Sequence, residues 1–342
     1  MLRGAISGFG EVAARAHLAG WRTRPEVQIV AIHDPVAARR HAAINLIKNV
    51  RVYDDLELML DAERLDFVDI ASPPTYHEAA AGAALLAGVN VLVEKPLCLD
   101  RTVFARLKAS ALAAGRVLMC VHNWKHAPAY RRAGELIAAG RLGEVAYVSL
   151  IRLRNGAAGQ GGSTAEGGEH WRLDERSGGG ILIDHGWHVA YLAQYLMSGA
   201  RPLAVSAHIE RAAGSGVDEL ADLRVEFPAG KIASCRLSWL APARQTSAVV
   251  HGSDARLEIE DNRLTLTSRA GGPEDWSVAD LQDDSYHPGW FGGMAAEFER
   301  AMLEGPDGVL AQNNLVEAET ALALILAARE SSHRGGVPVA MP

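Results

Sequence analysis

The sequence predicts an α/β chain of two domains: a doubly wound parallel sheet first, then an α+β domain of sequential antiparallel strands. Three observations carry this expectation. The 342 residues exceed the usual size of one hydrophobic core. Residues 1–122 alternate short β-rich runs with Ala-rich helical stretches, and beyond residue 200 the pattern changes to period-two runs.

In the first domain, residues 1–122, strands are expected at Leu2–Ser7, Val27–His33, 67–71, 89–93 and 117–121. Phe67-Val68-Asp69-Ile70-Ala71 and Val89-Asn90-Val91-Leu92-Val93 are almost continuously apolar, as suits strands covered by helices on both faces. A doubly wound sheet satisfies that pattern. The second domain, residues 123–342, begins with a helix near 127–139, stopped by Gly140 and Gly143, and a strand at 145–153. Residues 155–180 read as a long glycine-rich loop, of the kind that serves as a lid or binding loop. One helix follows over 181–197. Between 202 and 267, runs such as Leu223-Arg224-Val225-Glu226-Phe227 and Leu257-Glu258-Ile259-Glu260 alternate, with Asp261-Asn262 as a turn before Leu264-Thr265-Leu266. Helices near 290–303 and 313–332 close the chain, the second apolar enough to pack back onto the first domain.

With 34 basic and 41 acidic residues the formal charge is -7, which argues against affinity gained by neutralising a phosphate backbone. No nucleic-acid partner is expected. Cys98, Cys120 and Cys235 lie far apart, offering neither a disulfide framework nor a thiolate zinc site, and fit a reducing cytoplasm. The first apolar run leads straight into a glycine turn, leaving no room for a signal peptide. The apolar stretches 79–87 and 321–328 are far shorter than the roughly 20 residues needed to span a bilayer.

Gly8-Phe9-Gly10-Glu11-Val12-Ala13 follows an expected strand and opens an expected helix, the context that turns a weak pattern into a dinucleotide fingerprint. Gly8 permits the tight turn, Gly10 lets backbone amides approach a pyrophosphate, and Ala13 lets the helix pack on the strand. Asp34 ends the second strand, 24 residues after Gly10, where a carboxylate accepts from the adenosine ribose hydroxyls and repels a 2′-phosphate. That favours NAD, while Arg39 and Arg40 keep NADP open.

Glu94-Lys95-Pro96 stands at the carboxyl end of an apolar strand, where open α/β sheets bind ligands. A lysine there can hold a substrate oxygen and stabilise negative charge developing on it. Asp184 and His188, four apart at the start of a helix, share one face and can serve one substrate.

Taken with Gly178-Gly179-Gly180-Ile181-Leu182-Ile183-Asp184-His185-Gly186-Trp187-His188, these motifs make the chain resemble the Gfo/Idh/MocA oxidoreductases, the family of glucose–fructose oxidoreductase and inositol dehydrogenase. The resemblance runs the whole length, through Ala71-Ser72-Pro73-Pro74 with His77, Asn123 with Pro128, Trp171-Arg172, His251-Gly252 and 331–337. It implies a Rossmann domain followed by a domain on a large, mainly antiparallel open sheet, often an oligomer interface. It also implies that Lys95, Asp184 and His188 are the catalytic constellation, and that Phe9, Glu11, Val12, Ser72, Pro73, His77, Glu94 and Lys95 join Gly8, Gly10 and Asp34 around the cofactor. The expected reaction exchanges a hydride between nicotinamide and a secondary hydroxyl or keto group of a sugar, polyol or nucleotide sugar. His188 would accept the hydroxyl proton and Asp184 would orient the imidazole or a neighbouring hydroxyl.

Departures from the family pattern bear on the substrate. Tyr191 stands where aspartate is common, His185 is unusual, and Asn123-Trp124-Lys125-His126 replaces a segment richer in arginine and phenylalanine. Asn123, Trp124, Lys125, Trp171, Arg172, His185, Tyr286 and His287 are the candidate substrate contacts. Two other readings remain open: a lyase or glycosidase that oxidises its substrate transiently, and a sensor of NAD or a metabolite that performs no chemistry. Asp184, His185, His188 and His170 have spacing that zinc can use, yet the motif accounts for these positions without a metal, and none is expected. A dimer or tetramer is expected, because an open sheet must cover an apolar outer face.

Overall fold

Residues 1–157, 171–212, 216–260, 263–269, 271–278 and 286–342 are described by a computed structural model. Most of the loop expected at 155–180, with His170, and the turn at Asp261-Asn262 lie outside the described residues.

The apolar runs of the first hundred residues form β1 (Leu2–Ser7), β2 (Val27–His33), β3 (Arg51–Tyr53), β4 (Phe67–Ile70), β5 (Asn90–Val93) and β6 (Leu118–Cys120). All pairings are parallel, in the order β3-β2-β1-β4-β5-β6. Every residue of β4 is buried, as a strand with helices on both faces requires. Strand β3 was not anticipated: three residues, one exposed and two half-buried, carry no readable period. A π-helical turn, Ala13–His17, runs into α1 (Leu18–Trp21), and α2 (Ala37–Leu46), α3 (Leu56–Ala62), α4 (His77–Leu86) and α5 (Arg101–Ala114) complete the winding. Helix α5 starts at Asp100, whose carboxylate accepts from the amides of Thr102 and Val103, and stops at Gly115 in the left-handed region. The strand order reverses between β1 and β4, which opens the crevice where doubly wound sheets bind ligands.

Helix α6 (Pro128–Ala138) and β7 (Val145–Asn155) follow, then a second π-helical turn, Leu182–Gly186, leading into α7 (Trp187–Leu196). The single helix expected over 181–197 is therefore two pieces with different periods. Residues 187–194 are all buried, marking α7 as an interior helix, and it packs on β7. The remaining strands are β8 (Ala204–Arg211), β9 (Asp218–Glu226), β10 (Ile232–Ser238), β11 (Leu240–Gly252), β12 (Ala255–Glu260), β13 (Arg263–Ser268) and β14 (Glu274–Ser277). Helices α8 (Pro288–Glu304) and α9 (Val309–His333) precede β15 (Val339–Ala340).

The second sheet has the order β14-β13-β12-β11-β7-β10-β9-β8-β15 among the described residues. It is antiparallel except where β10 runs parallel to β7. Sequential hairpin pairing thus fails at one point: β7 lies between β10 and β11, pairing with both. One face buries Val148, Leu150, Val205, Val225, Ala233 and Leu237. The other is polar, contrary to expectation. Register places Ser149, Ser234, Arg224 and Ser206 in one cross-strand row and Ile151, Arg236, Asp222 and His208 in the next. An apolar outer face therefore does not argue for an oligomer.

Two compact units result: residues 1–126 with 282–319, and 127–281 with 320–342. They do not follow the contiguous division at 122/123. Helix α8 belongs to the first unit because Phe291, Met294 and Phe298 enter the core of Trp21 and Phe67, with the Phe298 ring 5.8 Å from Phe67 and 6.4 Å from Trp21. The boundary falls inside α9, whose early residue Asn314 closes β6 by accepting the Cys120 amide at 2.7 Å. No helix among the described residues is long and apolar enough to cross a membrane.

In the second unit, buried Ser331 of α9 accepts the Ala207 amide at 2.9 Å and donates to the Val337 carbonyl at 2.8 Å. Ser331→Ala orphans both groups, so a loss of about 2 kcal/mol in chemical denaturation is expected.

Candidate functional site

At the β1/β4 reversal, Gly8 has φ +89°, and a Cβ there would stand 2.6 Å from the Ser72 nitrogen. Only glycine lets these strand ends approach so closely. A Cβ on Gly10 would meet nothing within 4 Å, so the chain leaves space at the helix start where a pyrophosphate belongs. The Phe9 amide donates to Asp34 Oδ2 at 2.7 Å and the Val36 amide to Oδ1 at 2.9 Å, which fixes the carboxylate at the end of β2. Arg39 approaches Asp34 at 3.6 Å, and Arg40 donates to the carbonyls of Asp34 and Pro35. Ser72 Oγ is buried without a hydrogen-bond partner among the described residues, and Pro73 caps the short turn that follows. Room beside Gly10, a fixed carboxylate and an orphaned hydroxyl fit a dinucleotide.

Other expected cofactor residues have contacts within the protein. Glu11 is exposed and pairs with Arg15 at 3.8 Å, while Val12 is half-buried where the π-helical turn begins. His77 is buried with Nδ1 2.7 Å from the Pro96 carbonyl and Nε2 2.8 Å from the Ser72 carbonyl. The ring thus stands between the 72–73 and 95–96 turns, and in its neutral form it donates to only one of the two carbonyls. Burial pushes its pKa down.

Beneath Lys95 lies a charged network that the motifs did not announce. His17 is buried, with Nδ1 2.9 Å from Asp69 and Nε2 3.1 Å from Glu94. Trp21 Nε1 donates to Asp69 at 2.7 Å, and Phe291 stacks on the imidazole at 3.9 Å. The second Glu94 oxygen accepts the Lys95 amide at 2.9 Å, so the network holds the 94–96 turn from below. Burial opposes charge on both partners, but the contact with His17 and the nearby Lys95 keep Glu94 below its ordinary pKa. Burial likewise opposes protonation of His17, yet the two carboxylates outweigh it and raise the pKa to about 9. This stabilisation is complete below the unfolded value of 6.5 and is lost as pH rises through about 9. Urea midpoints measured from neutral to alkaline pH should fall more steeply for the wild type than for His17→Gln. Equal slopes would show that no charge is held there.

In the second unit, the 3-10 turns Trp171–Leu173 and Glu175–Ser177 carry Arg172 to Asp184, with Nε 3.2 Å from Oδ1. The Arg172 guanidinium also lies 4.5 Å over the Trp171 ring. His185 Nε2 stands 3.6 Å from the other Asp184 oxygen. Asp184 and His188 are both buried, and His188 Nδ1 is 2.7 Å from the Tyr191 hydroxyl. Arg172 and His185 thus gather around a residue of the expected constellation.

The substrate candidates of the first unit are more committed. Lys125 pairs with Glu317 at 2.7 Å, sharing that carboxylate with His122 at 3.0 Å. His126 lies 3.4 Å from Glu297, a carboxyl for which burial is outweighed by His126 and Lys125, holding its pKa at about 2. Trp124 is buried edge-on to Trp290, His287 stacks on Trp290 at 3.7 Å, and Arg15 covers the Tyr286 ring at 4.3 Å. Asn123 keeps a buried Oδ1 without a partner among the described residues. Cys98, Cys120 and Cys235 are buried free thiols. No group of three or more potential metal ligands occurs among the described residues.

Residues 2–122 match the family described as oxidoreductases with an NAD-binding Rossmann fold, and residues 130–258 match the GFO/IDH/MocA C-terminal domain. D-glucoside 3-dehydrogenase of Escherichia coli is 32% identical over 209 residues, covering 60% of this chain and 57% of that protein. D-apiose dehydrogenase of Paraburkholderia graminis is 29% identical over 275 residues, covering 79% and 70%. The match thus spans little more than half of the first relative's length. Among solved structures, an inositol dehydrogenase homologue from Azotobacter vinelandii, complexed with NAD+, superposes with a TM-score of 0.84 at 23% identity, covering 99% of this chain and 97% of that one. An oxidoreductase from Agrobacterium radiobacter, complexed with NAD+, L-tartaric acid and magnesium, gives 0.86 at 18%, covering 99% and 98%. At these identities the superpositions speak for the fold.

Proposed function

The chain belongs to the Gfo/Idh/MocA family of oxidoreductases with an NAD-binding Rossmann fold, and on that footing we propose that it is an NAD-dependent dehydrogenase or reductase of CH–OH groups. The proposed substrate is a sugar, polyol or nucleotide sugar. The observation that carries the reading is the β1/β4 reversal, where Gly8 permits close approach, Gly10 leaves space, and Lys95 stands at the end of neighbouring β5.

NAD, when bound, supplies the hydride chemistry. Gly8, Phe9, Gly10, Asp34, Ser72 and Pro73 would hold it. The Lys95 ammonium donates to the substrate oxygen and favours the charge that grows there. His188 takes the hydroxyl proton in oxidation and returns it in reduction. Asp184, tied to Arg172, orients neighbouring hydroxyls. Arg172, His185 and Trp171 supply polar and stacking contacts suited to a hydroxylated ring. Assembly as a dimer or tetramer belongs to this reading through family likeness alone.

A panel of sugars, polyols and nucleotide sugars, followed by nicotinamide absorbance in both directions, tests the proposal. Net conversion of NAD with one of them is expected. Turnover without net nicotinamide change would replace the dehydrogenase by a lyase or glycosidase that oxidises transiently, and tight binding without hydride transfer would replace it by a sensor.

A further inference from the structure

Within the second unit, the contact of His188 with Tyr191 has a chemical direction. The two residues sit three apart on α7, their rings 5.7 Å from centre to centre and inclined at 78°, with Nδ1 2.7 Å from the phenol oxygen. Tyr191 is fully buried and His188 nearly so. The phenol is held in an interior helix and has little freedom to swing away.

A neutral imidazole has one N–H and one lone pair, and whichever atom engages Nδ1 decides which nitrogen is basic. A phenol can donate or accept. If it donates, Nδ1 is the acceptor and the hydrogen sits on Nε2. If it accepts, Nδ1 carries the hydrogen and Nε2 holds the lone pair. Only the second arrangement leaves Nε2 able to take a proton from a substrate. We propose that Tyr191 is the positioning residue of His188, accepting the Nδ1 hydrogen and so fixing the imidazole in the tautomer with basic Nε2. The contact between Nδ1 and the phenol stands on the geometry; the choice of tautomer and its use in proton transfer rest on the dehydrogenase reading above. A neutral phenol does this without adding another negative charge to a neighbourhood already containing Asp184, His185 and Arg172.

The test is nitrogen NMR of the NAD-bound protein labelled with 15N-histidine, with the His188 signals identified by their loss in His188→Gln. In the wild type the Nδ1–H tautomer should predominate in neutral His188. In Tyr191→Phe, which removes only the hydroxyl, that preference should disappear. Once a substrate is known, kcat should fall about tenfold with KM within about twofold, the loss of one hydrogen bond expressed in the proton-transfer step. A predominant Nε2–H tautomer in the wild type, or one unchanged in Tyr191→Phe, overturns the assignment. Should Tyr191→Phe fail to fold, site-specific 3-fluorotyrosine at 191 keeps the shape and weakens the acceptor; the Nδ1 signal must then shift, and a fixed signal counts against the proposal. A tautomer change together with no turnover on the whole substrate panel would leave the positioning role standing and remove the dehydrogenase reading.

Discussion

Lys95→Ala is expected to lower turnover by about 10³-fold while NAD affinity stays within about threefold, because removing one preorganised donor to a developing oxyanion costs on that order. The lysine's place is set by its backbone: β5 ends at Val93, and the Lys95 amide is held by Glu94, itself held by His17. Truncation at Cβ leaves those bonds intact, so the 94–96 turn should persist and the loss should appear in kcat. Calorimetric titration with NAD and steady-state rates with the substrate found by the panel check both halves. Undiminished turnover would remove Lys95 from the chemistry.

The second large effect separates two glycines that a motif treats alike. Gly8→Ala puts a methyl 2.6 Å and 2.7 Å from the backbone of Ser72 at a φ that side chains rarely adopt. Overpacking and backbone strain together suggest a loss of about 3 kcal/mol or more. Gly10→Ala meets no protein atom within 4 Å, so the fold should keep its thermal midpoint. The added methyl instead occupies space that the cofactor needs, and NAD affinity should fall by about tenfold or more, as a lost close backbone approach to the pyrophosphate implies. Thermal denaturation and NAD titration of the pair give the contrast: a stability defect for Gly8→Ala, a binding defect for Gly10→Ala. If Gly10→Ala bound NAD like the wild type, the pyrophosphate would have to be sought elsewhere.

Much of the first unit was legible because its signals are local. The runs at 67–71 and 89–93 became Phe67–Ile70 and Asn90–Val93, since strands buried on both faces must be apolar throughout. The fingerprint was legible through its setting between strand and helix. What it concealed was the reason for Gly8, which is Ser72, distant in sequence and adjacent across two strands. Lys125 and Tyr286 show the opposite difficulty. Their residue types suit a polar substrate, but Glu317 and Arg15, which already engage them, are far away in the chain.

Sequence alone pointed to the main strands and helices and to the dinucleotide turn, because these follow from period, turn chemistry and short motifs, and it nominated Lys95, Asp184 and His188 through the family likeness. Tertiary structure alone decided that β7 separates β10 from β11, that α8 joins the first unit, and that His17 binds carboxylates 52 and 77 residues away. It also turned the departure at Tyr191 into a partner for His188. The physical reason is the same in each case. Local conformation is settled by neighbours within a few residues, whereas a buried polar group takes whichever partner the packed fold brings within hydrogen-bond reach, and no spacing along the chain records that choice.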